Sequence, residues 1–371
     1  MKRRGFHRNL LTLAAAAAAG PLLGPAPARA AARRAVCRRT VTEYALPPAA
    51  ETHEIVKLPG KPVVLVSQMS DSRLVKLRLD PDTEEVVGVG SAALGPSDAM
   101  LHGLAVSRRH PGRVWATHEG GNRLLLVDPR PDDLDAPPRV ERAIDVPGGG
   151  KGPHYVGEFD DELWVTLKGS DQVLAIDHSE PSRFRLFPAE PHPIFIARHP
   201  VGGDFYVSQD QSSSLLRIDP GTGRARQIPV PADRGSTPVG LVAGAGAVWV
   251  VLLGTAESGT GTFGRIDERG RFTWFRLKDP AARSAGLLHL AFDPPHGLWL
   301  LGSSIVSSRA SDQIVRVEFD SSYSTVLDEQ VAALPTQLCK AHRILALPGG
   351  GVLATELTSA TVARLAAGPM C

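Results

Sequence analysis

Val114-Trp115-Ala116-Thr117, then Asn122-Arg123, then Leu125-Leu126-Val127-Asp128 is the stretch on which the fold turns. A large residue in a short alternating run, a polar turn and an aliphatic run ended by Asp describe two antiparallel strands. The pair returns as Leu163-Trp164-Val165-Thr166 with Leu174-Ala175-Ile176-Asp177, and as Phe205-Tyr206-Val207-Ser208 with Leu216-Arg217-Ile218-Asp219. It returns again as Val248-Trp249-Val250-Val251 with Gly264-Arg265-Ile266-Asp267. Fainter copies pair Leu298-Trp299-Leu300 with Val315-Arg316-Val317, Val64-Leu65-Val66-Ser67 with Lys76-Leu77, and Val352-Leu353-Ala354-Thr355 with Arg364-Leu365. The large residue falls at 65, 115, 164, 206, 249, 299 and 353, 42 to 54 residues apart, which is the length of one four-stranded blade. The expectation is an all-β chain: a seven-bladed β-propeller forming one domain over residues 31–371.

Within a repeat, the Trp strand is strand b and the Asp-ended strand is c. Runs such as Gly103-Leu104-Ala105-Val106 supply strand a, and runs such as Ala143-Ile144-Asp145-Val146 supply strand d. The last repeat stops after c, at 361–367, whereas a spare strand, Thr40-Val41-Thr42-Glu43-Tyr44-Ala45-Leu46-Pro47, precedes the first. That N-terminal strand closes the ring as the missing outer strand and covers an edge. Closure places Cys37 beside Cys371, and a disulfide there would replace the absent hairpin turn; Cys339 is the competing partner.

Composition narrows the classes. With 43% apolar residues and a net charge of +2 the chain is not disordered, and 37 Gly with 31 Pro are too many turn-formers for a helical bundle. Residues 1–30 read as a signal peptide. Lys2-Arg3-Arg4-Gly5-Phe6 precedes an alanine-rich apolar stretch, and Ala28-Arg29-Ala30 offers a cleavage site. The paired arginines resemble a twin-arginine export signal, with an ordinary secretory signal as the alternative. The stretch is too short for a membrane anchor, so the expected product is secreted, without an anchor, and monomeric. Removing five basic residues and no acid from a chain of charge +2 leaves −3, which argues against nucleic acid and against a polybasic membrane patch.

The residue that opens strand a sits at one mouth of the central channel. Its seven occupants are read as His53, His102, His154, Ile194, Val239, His289 and His342, which is five of the twelve histidines. The residue ending strand b is expected beside it. That brings His342 to Glu356, and His102 to His118 next to Glu119. An imidazole beside a carboxylate suits proton transfer or a metal; the competing reading is a hydrogen bond that ties strand ends together. Longer b–c loops in the fifth and sixth repeats, Gly254–Thr262 and Ser303–Asp312, emerge beside the same mouth.

The Trp strands, the Arg-Ile-Asp strands, Thr42–Pro47 and Thr237-Pro238-Val239-Gly240-Leu241 resemble the streptogramin B (virginiamycin B) lyases. The resemblance covers the chain beyond the signal. It implies a seven-bladed propeller that opens a cyclic depsipeptide by elimination at an ester with Mg²⁺. It also implies catalytic roles for His342 and His289 and a metal-ligand role for Glu356. Lys340 stands where the family has a glutamate, and Gly302 where it tends to have another. The additional histidines point toward a softer metal such as Zn²⁺, with His102, His118, His342 and Glu356 as candidate ligands. His53, His154, Lys340 and Glu119 are the candidate substrate contacts. The partner class is then a small molecule or cyclic peptide. The alternative is a non-enzymatic exported propeller that binds a peptide, a cell-wall component or a protein.

Overall fold

The computed structural model describes residues 40–367, so the signal segment and the Cys37–Cys371 pairing lie outside the described residues. The strands form seven four-stranded antiparallel sheets, numbered here as blades 1 to 7 in chain order. Strand a of each blade begins at Thr52, Leu101, Pro153, Pro193, Pro238, Gly286 and Ala341 respectively. Six blades are four consecutive strands; blade 7 is completed by Val41–Ala45, which pairs antiparallel with Thr361–Leu365. The N-terminal strand therefore closes the ring, as the sequence implied. Among the described residues no helix is long and apolar enough to cross a membrane.

The seven large residues of strand b, Leu65, Trp115, Trp164, Tyr206, Trp249, Trp299 and Leu353, are all essentially buried. Each wedges between neighbouring blades: Trp164 stacks on Phe205 of the next blade at 3.7 Å, and Trp249 meets Phe319 at 5.4 Å. The Asp ending strand c has a local role. Asp80, Asp177 and Asp219 each accept backbone N–H groups two and three residues on, closing the c–d turn.

One irregularity positions everything at the mouth. In every blade the a–b ladder shifts register near the start of strand a. A bulge of this kind re-aims side chains, so two successive residues face the channel. The backbone N–H freed by the shift is met by a hydroxyl on strand b. Ser67, Thr117, Thr166, Ser208 and Thr355 accept from the N–H of Glu54, Gly103, Tyr155, Phe195 and Arg343 at 2.8–3.2 Å. Four of these hydroxyls also donate to the next blade: Ser67 to the His102 carbonyl, Thr117 to His154, Thr166 to Ile194 and Thr355 to His53. Blades 5 and 6 carry Val251 and Leu301 at this position and have no such hydroxyl.

Candidate functional site

The mouth is a cavity of about 300 Å³ lined by one residue from each bulge: His53, His102, His154, Ile194, Val239, Leu288 and His342. Six of these are the expected occupants. The seventh differs, because Gly302 at the end of strand b pairs with Leu287, so the bulge presents Leu288 and His289 is the next residue in. The a–b turns differ in length from blade to blade, so counting from the Trp does not fix this register.

His289 belongs to a second layer, with Glu54, Gly103, Tyr155, Phe195, Gly240 and Arg343. Its ring packs against Phe195 at 5.2 Å, and its Nδ1 accepts from the Ile344 N–H at 3.3 Å. In the same layer the buried Arg343 donates to Glu54 at 3.2 Å and lies over the Phe195 ring at 4.4 Å. Burial pushes the Tyr155 hydroxyl up to about 12, with the Glu54 charge adding to it. Sequence reasoning missed this layer; its signal was the residue following each mouth position, Glu54 after His53 and Arg343 after His342.

Four imidazoles form a continuous arc across blades 7, 1, 2 and 3. Ring centroids lie 4.2 Å apart for His342–His53, 4.2 Å for His53–His102 and 3.8 Å for His102–His154. Burial holds each of them well below the usual imidazole range, and the charge of Arg343 acts in the same direction. The arc is therefore neutral at pH 7. Glu119 stands at its end, with Oε2 2.9 Å from His154 Nδ1 and 3.9 Å from His102 Nε2. Lys168 and Asp210 complete the polar wall. Phe195, Leu253, Leu288, Ile305 and Val306 make the side of blades 4 to 6 mainly apolar, while Met69 and Leu357 are apolar members beside the histidine arc.

Three expected members are elsewhere, two of them for one physical reason. The residue ending strand b pairs with the residue before the bulge, and a one-residue shift changes the face. His118 is opposite Leu101 rather than His102. Its ring lies against Gly95 in a separate cavity of about 330 Å³ with Asp98 and Arg123. Glu356 is opposite Ala341 rather than His342 and does not line the mouth. Its Oε2 accepts the Ser359 and Thr361 hydroxyls at 2.7 and 2.6 Å, and burial pushes the carboxyl up to about 7, with Glu43 adding to the rise. Lys340 is exposed outside the cavity lining. Glu356 and His342 do not come together in a group that could share a cation among the described residues, so the Mg²⁺ arrangement implied for them has no support in this geometry.

No protein-family model matches this sequence, and no curated protein matches it. Solved structures of similar fold include a streptogramin B lyase, at 20% identity over 88% of this chain and 96% of that one, TM-score 0.68. Another is a catalytically inactive histidine-to-alanine variant of virginiamycin B lyase from Staphylococcus aureus with quinupristin, at 16% identity over 88% and 99%, TM-score 0.68. A third is YCF48 bound to D1 peptide, at 13% identity over 88% and 95%, TM-score 0.59. At these identities the shared property is the seven-bladed fold.

Proposed function

We propose that the protein is an exported, lyase-like propeller that takes a small molecule or cyclic peptide into the histidine mouth and breaks a C–O bond by elimination. The observation that carries this reading is the arc of four neutral imidazoles on one wall of a half-apolar cavity. A neutral imidazole has a lone pair that can take a proton from a substrate held against it.

His342 is the base in this reading. It removes the proton from the carbon next to the one that bears the ester oxygen; that C–H electron pair becomes a C=C bond between these two carbons, and the C–O bond breaks to release a carboxylate. Lys168, on the same cavity wall, receives the departing charge. Leu253, Leu288 and Val306 seat the apolar part of the substrate. The likeness in fold to a virginiamycin B lyase inactivated by a histidine-to-alanine change supports a histidine-dependent step. His289, held by the Ile344 N–H below the mouth, is given no proton to move.

The test is mass spectrometry of products from a panel of cyclic depsipeptides and esters. Elimination gives a ring-opened product of unchanged mass, and hydrolysis gives one heavier by a water. The expected result is an isobaric product whose rate falls at least ~100-fold in His342→Ala. A hydrolysis product, or an unchanged rate in that variant, overturns the proposal. Binding without turnover would favour a peptide-binding platform, for which the fold likeness to peptide-bound YCF48 speaks. Export is tested by N-terminal sequencing of secreted protein, with Ala31 as the expected first residue.

A further inference from the structure

We propose that His102, Glu119 and His154 form a binding site for one divalent transition-metal ion of the zinc class. This deepens the reading of the mouth as the functional site, at a position distinct from Glu356.

The argument begins with a tautomer. His102 Nδ1 lies 2.8 Å from the carbonyl oxygen of His154. A carbonyl oxygen only accepts, so Nδ1 carries the proton. The neutral ring then has a bare lone pair on Nε2. That nitrogen is buried and has no hydrogen-bond partner, in a residue 1% exposed. It faces Glu119 Oε2 at 3.9 Å, which is also an acceptor. The buried Nε2 lone pair is left unmet beside a carboxylate oxygen, and the geometry asks for a cation.

A proton is the poor choice. It would make a buried imidazolium whose ring centre lies 3.8 Å from that of His154 and 4.2 Å from that of His53, within the field of the Arg343 charge. A metal ion serves all three donors together. His154 Nδ1 donates to the same Glu119 oxygen at 2.9 Å, and a metal ion displaces that proton; the three ligand atoms lie within 4.8 Å of one another. Zinc–ligand bonds of about 2.05 Å in a tetrahedron put neighbouring donors about 3.3 Å apart. The separations of 2.9 and 3.9 Å bracket that value.

The surroundings have the form of a metal site. A ligating histidine usually donates its other ring N–H to a carbonyl, which is the bond from His102 to the His154 carbonyl. Thr117 donates to the same carbonyl at 3.2 Å and fixes it further. Gly103 lies against that carbonyl so closely that a Cβ would come within 2.5 Å. Three protein donors facing a cavity leave the fourth position for water or substrate. Two imidazoles with one carboxylate suit zinc or cobalt better than magnesium.

The experiment titrates the full chain, stripped by chelator, with Zn²⁺ by calorimetry and with Co²⁺ by visible absorption. The expected result is one equivalent bound, with a cobalt spectrum of mixed nitrogen and oxygen ligation. Glu119→Gln and His154→Ala should each weaken binding at least ~100-fold, while His118→Asn and Glu356→Gln leave it unchanged. Glu119→Asp should recover part of the loss, and thermal unfolding of each variant establishes that it is folded. Absence of stoichiometric binding overturns the site, as does an unchanged affinity in folded Glu119→Gln. Loss of binding in Glu356→Gln with retention in Glu119→Gln overturns it as well. No substrate is present, so failure here leaves the His342 elimination test standing, and failure of that test leaves the metal site standing.

Discussion

Blades 7, 1, 2 and 3 differ from blades 5 and 6 in three linked ways. The first group has a hydroxyl residue on strand b, an imidazole at the mouth and a short b–c loop. The second has Val251 or Leu301, an aliphatic Val239 or Leu288, and a long loop. The bulge is common to both, so the scaffold needs neither hydroxyl nor histidine to close. What the hydroxyl adds is a fixed carbonyl at each mouth residue of the next blade. At His154 that carbonyl orients the imidazole of His102. The polar arc is a wired half and the aliphatic arc a seating half.

The largest expected difference between the halves is in acid. The unfolded chain protonates its histidines near pH 6.5, and the buried arc resists protonation well below that. Above pH 6.5 both states are neutral and nothing changes. Below it the unfolded state binds protons that the native state refuses, so stability falls by up to about 1.4 kcal/mol per pH unit for each imidazole kept neutral. Urea midpoints between pH 7 and 5 would show the slope. Replacing His53 by Leu, as in blade 6, should flatten it by one unit's worth. A slope unaffected by that change would remove the distinction between the two arcs.

Next in size is the ion pair beneath the arc. Arg343→Met leaves Glu54 buried without its partner, which costs about 3–5 kcal/mol in the denaturation midpoint. The ring-closing blade gives a smaller effect of opposite sign to the acid effect. The Glu356 carboxyl sits at about 7 folded and at 4.5 unfolded. Its contribution is full below pH 4.5 and is lost as pH rises to 7, a change of at most about 3 kcal/mol. The difference between wild type and Glu356→Gln across that window isolates it. A difference that grows with acidity would confirm the sign; a flat one would contradict it.

Below these comes the hydroxyl itself. Thr117→Val keeps the shape and strands the Gly103 N–H, for about 1–3 kcal/mol. Val251→Thr in blade 5 should cost less than that, since the added hydroxyl can take up the blade's own bulge. Equal costs would mean that the relay carries no structural information.

The repeat made the fold readable from sequence because two local signals recur together. One is the buried large residue of strand b, and the other is the Asp that closes the c–d turn by accepting N–H groups two and three residues on. The closing strand was readable as well, because blade 7 has no outer strand in its own repeat. The mouth was readable only to within one residue. Strand alternation says which residues share a face, but a bulge resets it, and nothing in Leu287-Leu288-His289 marks where the reset falls. The same slip paired His102 with His118 and His342 with Glu356, which the register separates. Glu119 was named because it follows His118, yet its partners come from blades 2 and 3 together.

The smallest expected effect on stability tests whether the long loop of blade 6 belongs to the seating wall. Ser303–Asp312 is not slack. Buried Asp312 accepts from the N–H of Ser304 in its own loop and of Ala341 in blade 7, the residue that precedes His342, both at 2.9 Å. That staple holds Ile305 and Val306 against the cavity. Val306→Ala removes two methyl groups from a partly buried wall, so stability should change by about 1 kcal/mol or less. Affinity for an apolar ligand seated there should fall roughly 4-fold to 15-fold at the same time, since each buried methyl is worth about 0.8 kcal/mol. The companion change in blade 4, Ile194→Val, trims one methyl at the border of the two arcs and should move affinity less. Equal losses from both would place the ligand at the centre of the channel and end the division of the mouth into two working halves.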